Sequence, residues 1–176
     1  LAHAVPSIHH RLVTLVATTK TFNLAGCMIG SMVASDYALR NRLAHVAAAT
    51  AGGRSFNRIG MLMCTAAWQG GDAWLDELID YLNENKRIFE DGVGKIPGLR
   101  AMQIEATYLC WVDFANTGMN REEFTRRVEQ VAQIAVNHGN TFGAGGDTFL
   151  RFNVACRRQL VIEAVNRLTR AFSDLQ

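Results

Sequence analysis

The longest helical pattern in the chain constrains its fold more than any other stretch. It runs D-A-W-L-D-E-L-I-D-Y-L-N-E-N-K-R-I-F-E-D-G-V from Asp72, directly after the glycine pair Gly70 and Gly71. Trp74, Leu75, Leu78, Ile79, Leu82, Ile88 and Phe89 recur at helical spacing, which predicts an apolar stripe on an amphipathic helix. Acids crowd its first turns while Lys86 and Arg87 come late, in line with the helix dipole. Gly92, Gly94, Pro97 and Gly98 then punctuate the chain. A helix of this length between glycine-rich breaks divides the 176 residues into two parts, with a change of subdomain near residues 83–95.

The part before it reads as α/β. Leu12 to Thr18 and Cys27 to Ala34 are nearly continuous apolar runs, the pattern of strands covered on both faces. Gly26 and Gly30 mark a bend or a close backbone approach. Ser35 or Asp36 is placed to cap a helix that runs to about Ala51, where Gly52 and Gly53 stop it. Ile59 to Trp68 is a second helix, and its Met61 and Met63 read as core filling. Lys20 falls where the first strand gives way to a turn, beside Thr18 and Thr19 and ahead of Asn23 and Gly26. Ligands bind at strand ends in open α/β sheets. A lysine there is either an amine nucleophile able to form a Schiff base, with threonine hydroxyls facing an anion such as phosphate, or a solvated charge.

The part after the helix is a compact α+β pattern. Leu99 to Glu105 and Tyr108 to Phe114 read as strands separated by Ala106 and Thr107, and Asn120 caps a helix of mixed charge. Ile134 to Val136 is a short strand, residues 137–146 a glycine-rich loop, Phe149 to Val154 a strand, and Gln159 to Phe172 a closing amphipathic helix. The loop N-H-G-N-T-F-G-A-G-G-D lacks a Walker lysine and the G-x-G-x-x-G spacing, so it gives weak support to nucleotide binding. Arg151 stands in the middle of an apolar strand and needs an anionic partner, either a carboxylate ligand or an internal ion pair.

Composition excludes several classes. The 18 basic and 16 acidic residues are interspersed with a net charge of +2, which does not fit a nucleic-acid binder. No window approaches a membrane span. Cys27, Cys64, Cys110 and Cys156 are far apart and read as reduced, mostly buried thiols of a cytoplasmic protein. His3, His9 and His10 have no carboxylate or cysteine nearby to complete a metal site and read as surface residues, so no metal is expected.

Five stretches in order carry a resemblance across nearly the whole chain: A-T-T-K-T-F-N-L-A-G (17–26), A-A-W-Q-G-G-D-A-W-L (66–75), Y-L-N-E-N (81–85), T-Y-L-C-W-V-D (107–113) and F-L-R-F-N-V-A-C (149–156). Together they resemble the pyridoxal-phosphate-dependent aminotransferases of class I and II, in particular the cystathionine β-lyase-like carbon–sulfur lyases of the MalY/PatB type. The resemblance implies the C-terminal part of that α/β transferase fold. Residues 1–88 would be the remnant of the cofactor-binding large domain with the interdomain helix, and 89–176 the small domain. It implies that Lys20 forms the Schiff base with pyridoxal 5′-phosphate, that Thr19, with Thr18 beside it, contacts the cofactor phosphate, and that Arg151 binds the substrate α-carboxylate. It further implies an amino-acid substrate and a homodimer. The reaction would be β-elimination of a sulfur amino acid, with transamination as the alternative. The same resemblance covers only about the second half of such an enzyme. It therefore leads to the expectation that the isolated chain holds the cofactor poorly, and that it is inactive and self-associating as it stands. Ala17 in place of a common serine, and His138 and Arg157 in place of usual prolines, depart from the family pattern.

Overall fold

The computed structural model describes residues 3–50 and 57–175. The chain divides into two compact units, Leu1–Glu77 and Leu78–Gln176.

In the first unit β1 (Thr14–Val16) pairs antiparallel with β2 (Ser31–Val33), Leu15 lying opposite Met32. Between them stand a one-turn helix α1 (Thr18–Thr21) and a tight turn at Ala25–Cys27. Both strands are shorter than their apolar runs predict, and they are not covered on both faces: Leu15, Met32 and Val33 are exposed. Each strand has only the other as a ladder partner among the described residues, so the apolar run continues where the pairing does not. The ends are set by turn chemistry. Asn23 takes a left-handed conformation at φ 54°, and the Leu24 N–H donates to the Thr19 carbonyl at 2.7 Å, a helix-terminating arrangement. Met28, at φ 49°, ends the turn at Cys27 in the same left-handed region.

Two helices complete this unit, α2 (Tyr37–Thr50) and α3 (Arg58–Gly70). Asp36 rather than Ser35 caps α2, accepting from Leu39 N–H at 2.7 Å; the predicted stop at Ala51 to Gly53 lies outside the described residues. Asn57 caps α3 by accepting from Gly60 N–H at 3.2 Å. Met61 and Met63 are exposed, contrary to the core-filling expectation. The packed face of α3 is a stripe of small residues at helical spacing. Gly60 lies under Cys27 and Ile29, Cys64 meets Thr18, and Gly71, just beyond the helix, lies so close to the Phe22 ring that a Cβ would overlap it. The methionines lie off that stripe, with Met63 touching Cys27 at 3.3 Å sulfur to sulfur. Gly70 is the last residue of α3, and Gly71 caps it.

Helix α4 (Asp72–Val93) forms as its periodicity predicts, though the buried residues Asn85, Phe89 and Val93 all lie in its second half, while Trp74 and Ile79 are exposed. The second unit is a four-stranded antiparallel sheet of order β3-β4-β6-β5, built from β3 (Arg100–Ala101), β4 (Leu109–Asp113), β5 (Asn137–His138) and β6 (Phe149–Asn153). Cys110 and Val112 alternate inward on β4, and their partners Leu150 and Phe152 do so on β6. Their core is completed by Phe89 and Val93, by Phe124 on α5 (Arg121–Arg126) and by Val161, Leu168 and Phe172 at α6 (Arg158–Ala171). The fully buried Phe114 stacks on Phe124 at 4.8 Å and lies 5.7 Å from Phe172. Burying rings of this size contributes roughly 1.5–3 kcal/mol each.

Asn120 caps α5 as expected, accepting from Glu123 N–H at 2.9 Å. Two strand expectations are corrected. Leu99 to Glu105 keeps only Arg100–Ala101 plus one further bond, from Met102 N–H to Trp111 O at 2.9 Å. Ile134 to Val136 is not a strand. Gln133 at φ 54° turns the chain out of the Arg127–Val131 helical turn, and pairing begins at Asn137, inside the segment read as loop.

The Y-L-N-E-N motif has a structural reason. Asn85, with no exposed surface, donates to the carbonyls of Val154 and Cys156, both at 2.9 Å, and Tyr81 accepts the Arg158 N–H at 2.8 Å. Helix α4 thereby holds the exit of β6 and the start of α6. The four cysteines are free; Cys64 and Cys110 are buried, whereas Cys27 and Cys156 are half-buried. Burial, reinforced by the Glu90 charge, pushes the Cys110 thiol up to about 12. Among the described residues no helix is long and apolar enough to cross a membrane.

Candidate active site

Thr18, Thr19 and Lys20 come together on the single turn of α1. This turn is anchored from beneath. Thr18 is 3% exposed and donates its hydroxyl to Cys64 Sγ at 2.6 Å, and Phe22 stacks on Trp74 with ring centroids 5.8 Å apart. Thr19 is half-buried and Lys20 is exposed. The amine is therefore presented outward from a turn whose other side is fixed. The Thr18 proton points to sulfur in this structure, so of the two hydroxyls Thr19 is the one not committed inward.

Arg151 belongs to the second unit, at the centre of β6, directly opposite Trp111 on β4 and Asn137 on β5. Its Nη2 donates to Asn137 Oδ1 at 3.0 Å, and its guanidinium carbon lies 4.3 Å from the Phe142 ring centroid. Its Nε is buried and has no hydrogen-bond partner. Among the described residues no carboxylate lies within ion-pair distance of it. The internal ion pair, one of the two readings open in the sequence, is thus not formed within these residues. What remains is a half-buried cation held by a neutral amide and an aromatic face. A buried, unpaired N–H on a charged group is costly, and an incoming anion relieves that cost.

The strand that carries Arg151 is tied at its start by Asp113. Asp113 accepts from Ala115 N–H at 3.0 Å, from Thr148 at 2.8 Å and from Arg100 at 3.1 Å. Burial pushes its carboxyl up, but the bonds from Ala115, Thr148 and Arg100 outweigh burial and hold it below the ordinary carboxylate range. Sequence reasoning missed Asn137 and Phe142 as partners of Arg151. The signal available was the pairing of a mid-strand arginine with an aromatic on a neighbouring loop, but the register that brings them together is non-local. His138, which departs from the expected proline, meets Glu129 at 2.8 Å.

Comparison with known proteins bears on what these residues do. The family model of aminotransferase class I and II matches residues 2–168. The chain belongs to this family. Among curated relatives, cystathionine β-lyase PatB of Bacillus subtilis is 29% identical over 92% of the chain, and an aspartate aminotransferase of Pyrococcus horikoshii is 24% identical over 87%. Among solved structures, cystalysin from Treponema denticola, which contains a pyridoxal 5′-phosphate cofactor, is 31% identical with a TM-score of 0.87 over 97% of the chain. The α/β architecture is therefore that of the class I and II aminotransferases. The chain spans 42% of PatB, 39% of the aspartate aminotransferase and 43% of cystalysin.

Proposed function

We propose that this chain supplies the lysine and the carboxylate-binding arginine of a pyridoxal-phosphate-dependent enzyme that cleaves a carbon–sulfur bond of an amino acid by β-elimination, yielding pyruvate, ammonia and a thiol. The observation that carries the reading is Arg151, a half-buried guanidinium with an unpartnered Nε and no carboxylate of its own among the described residues. Its planar fork matches an α-carboxylate. The residues fit the cofactor: Lys20 offers an outward amine, Thr19 a hydroxyl for the phosphate, and Thr18 a second one after rotating away from Cys64. When bound, the cofactor draws electrons from the substrate α-carbon. Lys20 Nζ would hold the cofactor at its aldehyde carbon and would serve as the base that takes the substrate α-proton. Arg151 holds the substrate carboxylate through its guanidinium fork. Residues 1–88 are assigned to the end of the large domain with its helix, and 89–176 to the small domain, of a homodimeric enzyme.

Transamination by the same residues is the second reading, favoured by the aspartate aminotransferase relative. Incubating the enzyme that carries this chain with cystathionine, with and without a keto-acid acceptor, separates the two. Thiol and pyruvate without the acceptor support elimination; product only with the acceptor overturns it. By itself the 176-residue chain, which spans 42% of PatB, is expected to hold the cofactor poorly. Mixed with the cofactor it is expected to show no stoichiometric absorbance band, and a band lost in Lys20→Ala would contradict this.

A further inference from the structure

Arg151 owes its orientation to a loop that the reaction has not yet involved. In the sheet register Trp111, Arg151 and Asn137 lie in a row across β4, β6 and β5, so their side chains share the face opposite the helices. Asn137 takes one Nη of the guanidinium, and the Phe142 ring lies against its plane at 4.3 Å. That ring is itself held, because Trp111 meets it edge-on at 5.2 Å and 74°. Its backbone is pinned as well. Thr141 donates to the His138 carbonyl at 2.6 Å, and Gly139 crosses Gly146 so closely that a Cβ on either would collide with the other's backbone. The glycines of this loop thus serve a backbone crossing that sets Phe142 over Arg151. Phe142 is 50% exposed. Half-exposed, its ring gains little from burial, whereas its face meets the guanidinium of the residue proposed to bind substrate.

The geometry points to Phe142 as a positioning residue for Arg151. The ring face fixes the guanidinium plane while Asn137 fixes rotation within that plane, so the fork is set before a carboxylate arrives. This inference rests on reading Arg151 as the carboxylate binder, and the two can fail separately. Stacking of this kind is worth about 0.5–2 kcal/mol, so loss of the ring should weaken carboxylate binding by about 2- to 30-fold.

The test uses the 176-residue chain labelled with ¹⁵N, following the Arg151 Nε–H resonance, which is assigned by its loss in Arg151→Lys. The ring should shift this proton upfield. Phe142→Leu should return it to the range of solvated arginines, Phe142→Tyr should keep it shifted, and the backbone amides of β4 should stay in place in both. Acetate, the carboxylate probe, should move the resonance in the wild-type chain and in Phe142→Tyr, and more weakly in Phe142→Leu. An Nε–H resonance that Phe142→Leu leaves unchanged overturns the positioning role, whatever acetate does. A resonance that depends on Phe142 but ignores acetate supports the positioning role and removes the carboxylate reading of Arg151.

Discussion

The unit that carries Arg151 and the unit that carries Lys20 treat their apolar residues in opposite ways. In the second unit both central strands, β4 and β6, alternate cleanly, and Phe89, Phe114, Phe124 and Phe172 close a core that none of the described strands leaves open. In the first, the buried apolar side chains among the described residues are Ala34 and Cys64, while Leu15, Met32, Val33, Ile59 and Leu62 are exposed. The difference teaches where each unit gets its stability. The second is held by its own interior; the first is held by close backbone packing of α1 and α3 through small residues, and its apolar strands still need covering.

The largest expected effect tests that contrast directly. Phe114→Ala should cost about 3–5 kcal/mol, most of the stability of a domain this size, whereas Leu15→Ala, at a side chain 73% exposed, should change stability by about 0.5 kcal/mol or less. Urea unfolding followed by circular dichroism compares them, and equal costs would break the comparison. Next comes Asn85→Ala. It leaves the Val154 and Cys156 carbonyls without their donor and should cost about 1–3 kcal/mol for each group left buried and unpaired. A neutral result would mean that water replaces the amide and that α4 does not fix the exit of β6.

The smallest effect is a pH dependence. Asp113 has a folded-state value below its unfolded one, near 3.9, so the folded state binds fewer protons in the acid range. Its contribution to the second unit is complete above the unfolded value and is lost as pH falls through the folded one. Unfolding of the wild-type chain should therefore become easier across that window, and Asp113→Asn should lower stability at neutral pH while flattening this acid limb. An acid limb of unchanged slope in the variant would remove Asp113 from the account.

Much of this was legible in local pattern. The helix from Asp72, the Asn120 cap and the β6 strand follow from periodicity and capping chemistry that act within a few residues. What was not legible is non-local. The sequence carries the first strand to Thr18 and places Lys20 in a turn, whereas Thr18–Thr21 forms one turn of helix that ends at Asn23 in a left-handed conformation. Met61 and Met63 read as core because methionine usually is, but Gly60 and Cys64 allow a closer approach on another face of the same helix. The need of Arg151 for an anion was visible, and the Schiff-base role of Lys20 entered through the resemblance of the surrounding motifs. The hold on Arg151 by Phe142 and Asn137 depends on the β5–β6 register, which sits in a stretch read as loop.

The central claim is that Lys20 is the amine that engages the cofactor. The chain contains three lysines, Lys20, Lys86 and Lys95, so one measurement separates them. The enzyme that carries this chain is loaded with pyridoxal 5′-phosphate, reduced with borohydride, digested and mapped by mass spectrometry. The predicted result is a single pyridoxyl label on Lys20; a label on Lys86 or Lys95 with Lys20 unmodified would contradict the account.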